Sequence, residues 1–250
     1  MKKILLYLFL IVFIMLFTSS LTFPAQKLKV GFIQGGGVDA PLAEQGFKNA
    51  GIEYETIEKD NYVLQWLLKY DVIAIGVVAY DQNEDLKANY KIVNEYVKAG
   101  GYLVTADYQQ DGTWKEDYLP QPIKLVDDDI PDNTPVKIID HPIWNTPNKI
   151  TKEHFQNWGA DDFAADVAKE VKGAWKAVLI GNDFPIVSVT QSASGVVVFS
   201  SLQVLQALGR SGNMKIAEVL QNLLFWRGPL SVSPKDKAST TWAKLKNSNL

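Results

Sequence analysis

Between Lys27 and Ala106 the chain alternates four short apolar runs rich in β-formers with stretches of helical spacing, and this alternation limits the fold more than any other feature. The runs are residues 28–34 (LKVGFIQ), 53–57, 71–78 (DVIAIGVV) and 102–106 (YLVTA). Between them, residues 41–50 repeat Leu42, Ala43 and Phe47, a short face carries Tyr62, Trp66 and Leu67, and residues 84–99 repeat Leu86, Tyr90, Val93 and Val97. Gly51 and the pair Gly100-Gly101 stop the two longer helices. Strands joined by right-handed helical crossovers pair in parallel and carry helices on both faces, so the expectation is an α/β fold with a doubly wound, mostly parallel sheet.

Beyond Asp107 the regularity lapses. Residues 109–147 hold the acidic run Asp127-Asp128-Asp129 and most of the prolines, which predicts a long excursion with short strands at 123–126 and 136–139. Three further strands are expected at 175–181, 185–190 and 195–200, and a last helix at 214–226 with Ile216, Val219, Leu220, Leu223 and Leu224 on one side. The expected domain is residues 27–227. Before it, Lys2-Lys3 and the apolar run Ile4 to Phe17 read as a signal peptide or N-terminal anchor over residues 1–26, too short for an ordinary membrane span. That predicts an exported protein, periplasmic or extracellular, touching membrane only through an uncleaved N-terminal segment. Residues 228–250 are polar and punctuated and read as a loosely held tail.

Composition removes several chemistries. A formal charge of -3 without a basic stripe argues against nucleic acid as a partner. The absence of cysteine excludes thiol nucleophiles, disulfides and zinc-thiolate sites. His141 and His154 lack metal-ligand spacing, and Asp127 to Asp129 lacks the alternation of a calcium loop, so neither metal nor cofactor is expected.

In a parallel sheet, ligands gather outside the carboxyl ends of the strands, here residues 34–39, 78–82 and 106–110. Gly35, Gly36 and Gly37 form a tight turn or a backbone cradle for an anion, but the phosphate-loop spacing is missing. Residues 105–109 (TADYQ) stand where a nucleophile elbow is expected after the fourth strand; no glycine flanks the turn, and Asp107 replaces the usual serine or cysteine. The densest stretch is DHPIWNTPNKIT, residues 140–151. Its prolines hold it extended until Thr151 caps a helix carrying Glu153, His154 and Trp158. The stretch is expected to form a stiff cleft rim over Tyr108 and Gln109, in which His141, Trp144, Asn145 and Asn148 hold a neutral polyol by aromatic contact and amide hydrogen bonds. The alternative is purely local: the amides satisfy turn backbone and Trp144 fills the core edge.

The order of KVGFIQGGG, YDVIAIG, VKAGGYLV, YQQ, HPIWNTPNKIT, NW and NLLFW resembles the class I glutamine amidotransferase-like domain appended to secreted LmbE-like (PIG-L) deacetylases, and more distantly the trehalose-utilisation (ThuA-like) branch. The resemblance covers about residues 27 to 227 and implies a flavodoxin-like sandwich without working amidotransferase residues. Gly159-Ala160-Asp161-Asp162-Phe163 departs from the aromatic segment expected after Trp158. Two function classes follow. The first is an exported, non-catalytic binding or accessory module for a carbohydrate or a cell-envelope partner, with no catalytic residue. The other is a hydrolase using Asp107 or His141 with an activated water.

Overall fold

The computed structural model describes residues 28–159 and 162–228; the expected signal segment and almost all of the polar tail lie outside them. The first half follows the expected alternation: β1 (Val30–Ile33), α1 (Leu42–Asn49), β2 (Tyr54–Thr56), α2 (Leu64–Leu67), β3 (Val72–Ile75), α3 (Ala79–Gln82), α4 (Glu84–Lys98) and β4 (Tyr102–Thr105). Asn83 starts α4 by accepting a hydrogen bond from the Leu86 amide, and Glu84 and Asp85 lie in the first turn, where the helix dipole favours negative charge. After the excursion come β5 (Ile130–Pro131), β6 (Val136–Ile138), β7 (Asp162–Ala164), β8 (Lys176–Gly181), β9 (Phe184–Ser192), β10 (Gly195–Ser200), α5 (Val204–Ser211) and α6 (Met214–Phe225).

The result is a mixed α/β fold on an eight-stranded sheet of order β2-β1-β3-β4-β10-β9-β8-β6, with β5 and β7 paired apart from it. From β2 through β10 every neighbour is parallel, whereas β9, β8 and β6 extend the sheet by antiparallel pairing. Every residue of β1, β3 and β4 is buried, because both faces are covered. Val72 and Ala74 belong to one apolar cluster with Phe47, Leu205 and Leu220, while Ile73 and Ile75 belong to the other with Leu67, Leu86 and Val93.

Three sequence expectations are corrected. The strand at 123–126 is absent: Leu125 makes only an isolated bridge to Ala168, held by the Val126 amide on the Val167 carbonyl and the Lys169 amide on the Lys124 carbonyl, and the pairing does not extend into a ladder. The helix after Thr151 is a single 3-10 turn, Lys152–Phe155, closed by a capping box between Thr151 and His154, so it does not reach Trp158. The sequence reading missed α5, whose eight residues contain a glycine that lowers helical propensity; Val204, Leu205, Ala207 and Leu208 nevertheless bury one face.

That glycine has a packing reason. A Cβ on Gly209 would stand 2.4 Å from the Leu42 carbonyl oxygen, and one on Gly46 would stand 2.5 Å from the Leu205 carbonyl oxygen. The two glycines let the backbones of α1 and α5 touch. In an ordinary helix Gly→Ala gains up to about 1 kcal/mol. Here Gly46→Ala should instead cost about 1–3 kcal/mol of stability, the penalty of overpacking, measured by urea unfolding. A gain in stability would disprove the close approach.

Candidate functional site

The carboxyl ends of β1, β3 and β4 enclose a cleft of about 240 Å³. Gly36 to Asp39 supply one wall, Val77, Val78 and Gln82 a second, Tyr108 and Gln110 a third, and Asp166, beyond β7, closes it. The loop after β1 is glycine-rich because backbone fills its space: a Cβ on Gly35 would lie 1.9 Å from the Val77 carbonyl oxygen, and one on Gly36 2.4 Å from the Gln82 side chain.

At the foot of the cleft the chain passes from β3 into α3 through Val78, whose φ of 42° and ψ of 33° are left-handed. A β-branched residue rarely adopts that conformation. It is held from both sides: the Gly36 amide donates to the Val77 carbonyl (3.0 Å), and the Val78 amide donates to the Tyr108 carbonyl (3.0 Å). A strained strand-to-helix turn with glycine two residues earlier is the geometry of a nucleophile elbow, here Gly76-Val77-Val78. The elbow therefore follows β3, not β4 as the sequence reading had it, and its apex carries an alkyl group. The spacing from Gly76 to Val78 is the signal a sequence carries for this turn.

Asp107 follows β4 and is fully buried. Its Oδ1 accepts from Gln206 Nε2 (2.8 Å) and the Tyr108 amide (3.0 Å), and its Oδ2 accepts from the Gln206 amide (3.2 Å), so it fastens the first turn of α5. Burial pushes its carboxyl up to about 7, against the opposing pull of these hydrogen bonds. Gln206 Oε1 in turn accepts from Arg210 (3.4 Å), which pairs with Asp39 at the cleft wall (2.7 Å). Burial, with Asp111 and Asp127 close by, raises Asp166 to about 6. Burial and the carboxylates of Asp107, Asp166, Asp39 and Asp129 hold the Tyr108 phenol at about 12.

Of the six expected ligand contacts, only Tyr108 lines this cleft. Gln109 is wholly buried: its Nε2 donates to the carbonyls of Gly76, Asp107 and Tyr108, and its Oε1 accepts from the Tyr80 amide, so it ties the turns after β3 and β4 together. The stretch 140–151 does not lie over Tyr108 and Gln109. The His141 ring packs on Trp226 (4.7 Å), and Trp226 meets Tyr102, the first residue of β4, whereas Tyr108 comes after its last. The two regions lie at opposite ends of the strands, and Asp107 and His141 do not converge on one cleft.

Trp144 and Asn148 of that stretch turn their polar groups onto the protein. Trp144 is buried and donates to the Val178 carbonyl (2.8 Å), and Asn148 donates to Gln221 Oε1 (2.9 Å). The fully buried Asn222 donates to the carbonyls of Ile143 (2.7 Å) and Asn148 (2.8 Å) and accepts from the Asn148 amide (2.9 Å). Asn145 remains exposed. Burial, then Lys176, lowers the pKa of His141, while Asp140 opposes the shift. Among the described residues no group of three or more His, Asp or Glu is placed to hold a metal ion, and no helix is long and apolar enough to cross a membrane.

No protein-family model matches this sequence, and no curated protein matches it. Solved structures do. A candidate GMP synthase component from Thermoplasma acidophilum is 9% identical, with 87% of this chain and 98% of that one covered at a TM-score of 0.51. The cytoplasmic protein STM3548 from Salmonella typhimurium is 15% identical, with 79% and 99% covered at a TM-score of 0.50. These are likenesses of fold alone, and neither carries the deacetylase context. The expected export is corrected here: the similar Salmonella chain is described as cytoplasmic, and a periplasmic or extracellular location is withdrawn.

Two outcomes follow. Asn222→Ala strands the buried Ile143 carbonyl and the half-buried amide and carbonyl of Asn148; at about 1–3 kcal/mol for the first, and less for the other two because water can reach them, it should cost about 2–5 kcal/mol. Calorimetry should show the melting temperature falling by about 2–4 °C per kcal/mol. The second concerns Asp107, which releases its proton near pH 4 when unfolded and near 7 when folded. The folded state binds that proton more tightly, so stability from this group falls as pH rises from about 4 to about 7 and is flat above, by on the order of 4 kcal/mol. Urea unfolding across that range should show the decline, and Asp107→Asn, which carries no titrating proton there, should flatten it.

Proposed function

We propose that this chain is a non-catalytic binding module on a flavodoxin-like, doubly wound, glutamine amidotransferase-like fold, and that its cleft takes a small polyhydroxyl compound of the carbohydrate class. The observation that carries the reading is Val78: the elbow turn stands at the foot of the cleft with an alkyl group where covalent catalysis needs a nucleophile. The lining suits hydroxyl groups. Asp39 and Asp166 accept, while Gln82, Gln110 and Tyr108 both donate and accept. Val38, Val77 and Val78 offer apolar surface to the carbon frame. At about 240 Å³ the cleft is smaller than the roughly 300–1,000 Å³ of drug-sized pockets, which favours a single small unit over a chain of them. The finer affiliation, to the domain type appended to LmbE-like deacetylases, rests on the HPIWNTPNKIT motif.

Calorimetric titration with monosaccharides and polyols tests this. The parent should bind at least one of them, and Tyr108→Ala should bind at least about tenfold more weakly, about 1.4 kcal/mol, with an unchanged melting temperature. Absence of binding by the parent ends the reading. Hydrolysis of esters, amides or glycosides that Asp107→Asn abolishes would replace it with the hydrolase alternative.

A further inference from the structure

We propose that the amino end of the sheet docks on a lipid bilayer with anionic headgroups, and that the protein rests there with its cleft turned away into the water. This inference is independent of what the cleft binds.

Both ends of the described body lie at one place. Asp71, immediately before β3, accepts the Lys29 amide on Oδ2 (2.9 Å), and its Oδ1 faces the Arg227 guanidinium at 3.7 Å. A Cβ on Gly228 would stand 3.1 Å from Val196, which pairs with Tyr102 at the start of β4. Residues 1–27 and 229–250 therefore join the body side by side at the amino ends of β1, β3 and β4, across the sheet from the cleft.

Charge is divided between the body and these two segments. Residues 1–27 hold three lysines and no acid, and residues 229–250 hold four lysines and one acid. The segments thus carry +6, and because the whole chain carries -3, the body between them carries -9. The body is itself polarised. Asp39, Asp107, Asp111 and Asp166 gather at the cleft, where α4 also begins with Glu84 and Asp85. At the other end, Glu55 is paired with Lys29 (3.0 Å), Glu95 with Lys98 (2.8 Å) and Asp71 with Arg227, while Lys176 lies close to Asp140. Helix dipoles favour acids at helix starts in any such sheet. They do not require that both basic segments join at the end whose own charges are balanced.

A lipid surface fits this arrangement. The apolar run Ile4 to Phe17 supplies burial among acyl chains, and lysines near anionic headgroups contribute about 1 kcal/mol each. One apolar anchor joined to a basic cluster is enough for stable attachment. Residues 18–27 reach at most about 35 Å when fully extended, so the body stays near the surface. The same field repels the acidic cleft end, which fixes the orientation.

The chain has no cysteine, so an introduced one is labelled alone. Ala193→Cys, exposed in the β9–β10 turn at the amino end, and Val38→Cys, 93% exposed at the cleft, each carry a fluorophore on the full chain. On phosphatidylcholine vesicles containing roughly one third phosphatidylglycerol, nitroxide lipids should quench the label at 193 and spare the label at 38. The full chain should bind these vesicles at least about tenfold more tightly than pure phosphatidylcholine, about 1.4 kcal/mol, and should lose that preference in roughly 0.5 M salt. Glutamine at all four tail lysines (K235Q, K237Q, K244Q and K246Q) should shrink the preference to within about threefold. Equal quenching at the two positions, equal binding to the two vesicles, or a preference that survives in the lysine variant overturns the proposal. A label at 193 shielded from aqueous quencher but untouched by lipid nitroxides also overturns it, and assigns the surface to a second copy or to the basic tail folded on the acidic body.

Discussion

The tether on the Val77-Val78 main chain is the constraint on which the functional end of the molecule depends. One hydrogen bond comes from the turn after β1 and the other goes to the turn after β4, so three adjacent strands fix one left-handed residue. Such a conformation costs on the order of 1–3 kcal/mol and persists only where its surroundings over-determine it. Gly35 and Gly36 are part of that over-determination, because any side chain there would collide with the segment it holds. Gln109 adds a third fastening from beneath, linking Gly76 and Tyr80 to the turn after β4.

The same end of the sheet concentrates the acidic groups. Asp107 is removed from water, and its oxygens are met by amide donors from Gln206 and Tyr108 rather than by a cation. Amide donors compensate a buried carboxylate only in part, which is why it holds its proton so tightly. Through Gln206 and Arg210 the strain-bearing turn, the start of α5 and the Asp39 wall form one connected set, so substitutions within it are expected to be non-additive.

Much of the architecture was legible in the sequence. The parallel half reads directly, because strands buried on both faces are continuous apolar runs and the helices between them keep their own period. The later strands announced themselves but not their partners: nothing local in residues 195–200 says that β10 pairs in parallel with β4 across nearly a hundred residues. The stretch 140–151 was misplaced for a physical reason. Its histidine, tryptophan and asparagines are the types that bind ligands, and also the types that satisfy an irregular buried backbone; the choice was made by Asn222, seventy-four residues after Asn148. Of the cleft, Tyr108 was found, whereas Asp166, at a φ of 49° in a segment without periodicity, left no signal that a single sequence carries.

The two outermost strands of the sheet are its shortest, β2 and β6, with three residues each. Along β2 the rim also carries the Lys29–Glu55 ion pair at 3.0 Å. A neighbouring molecule approaching either margin finds too few main-chain groups to add a strand of its own, and at β2 it must also desolvate charge. A sheet of eight strands thus ends in poor templates on both sides, which opposes fibril growth in concentrated solution and leaves association to be governed by side-chain surfaces rather than by the backbone.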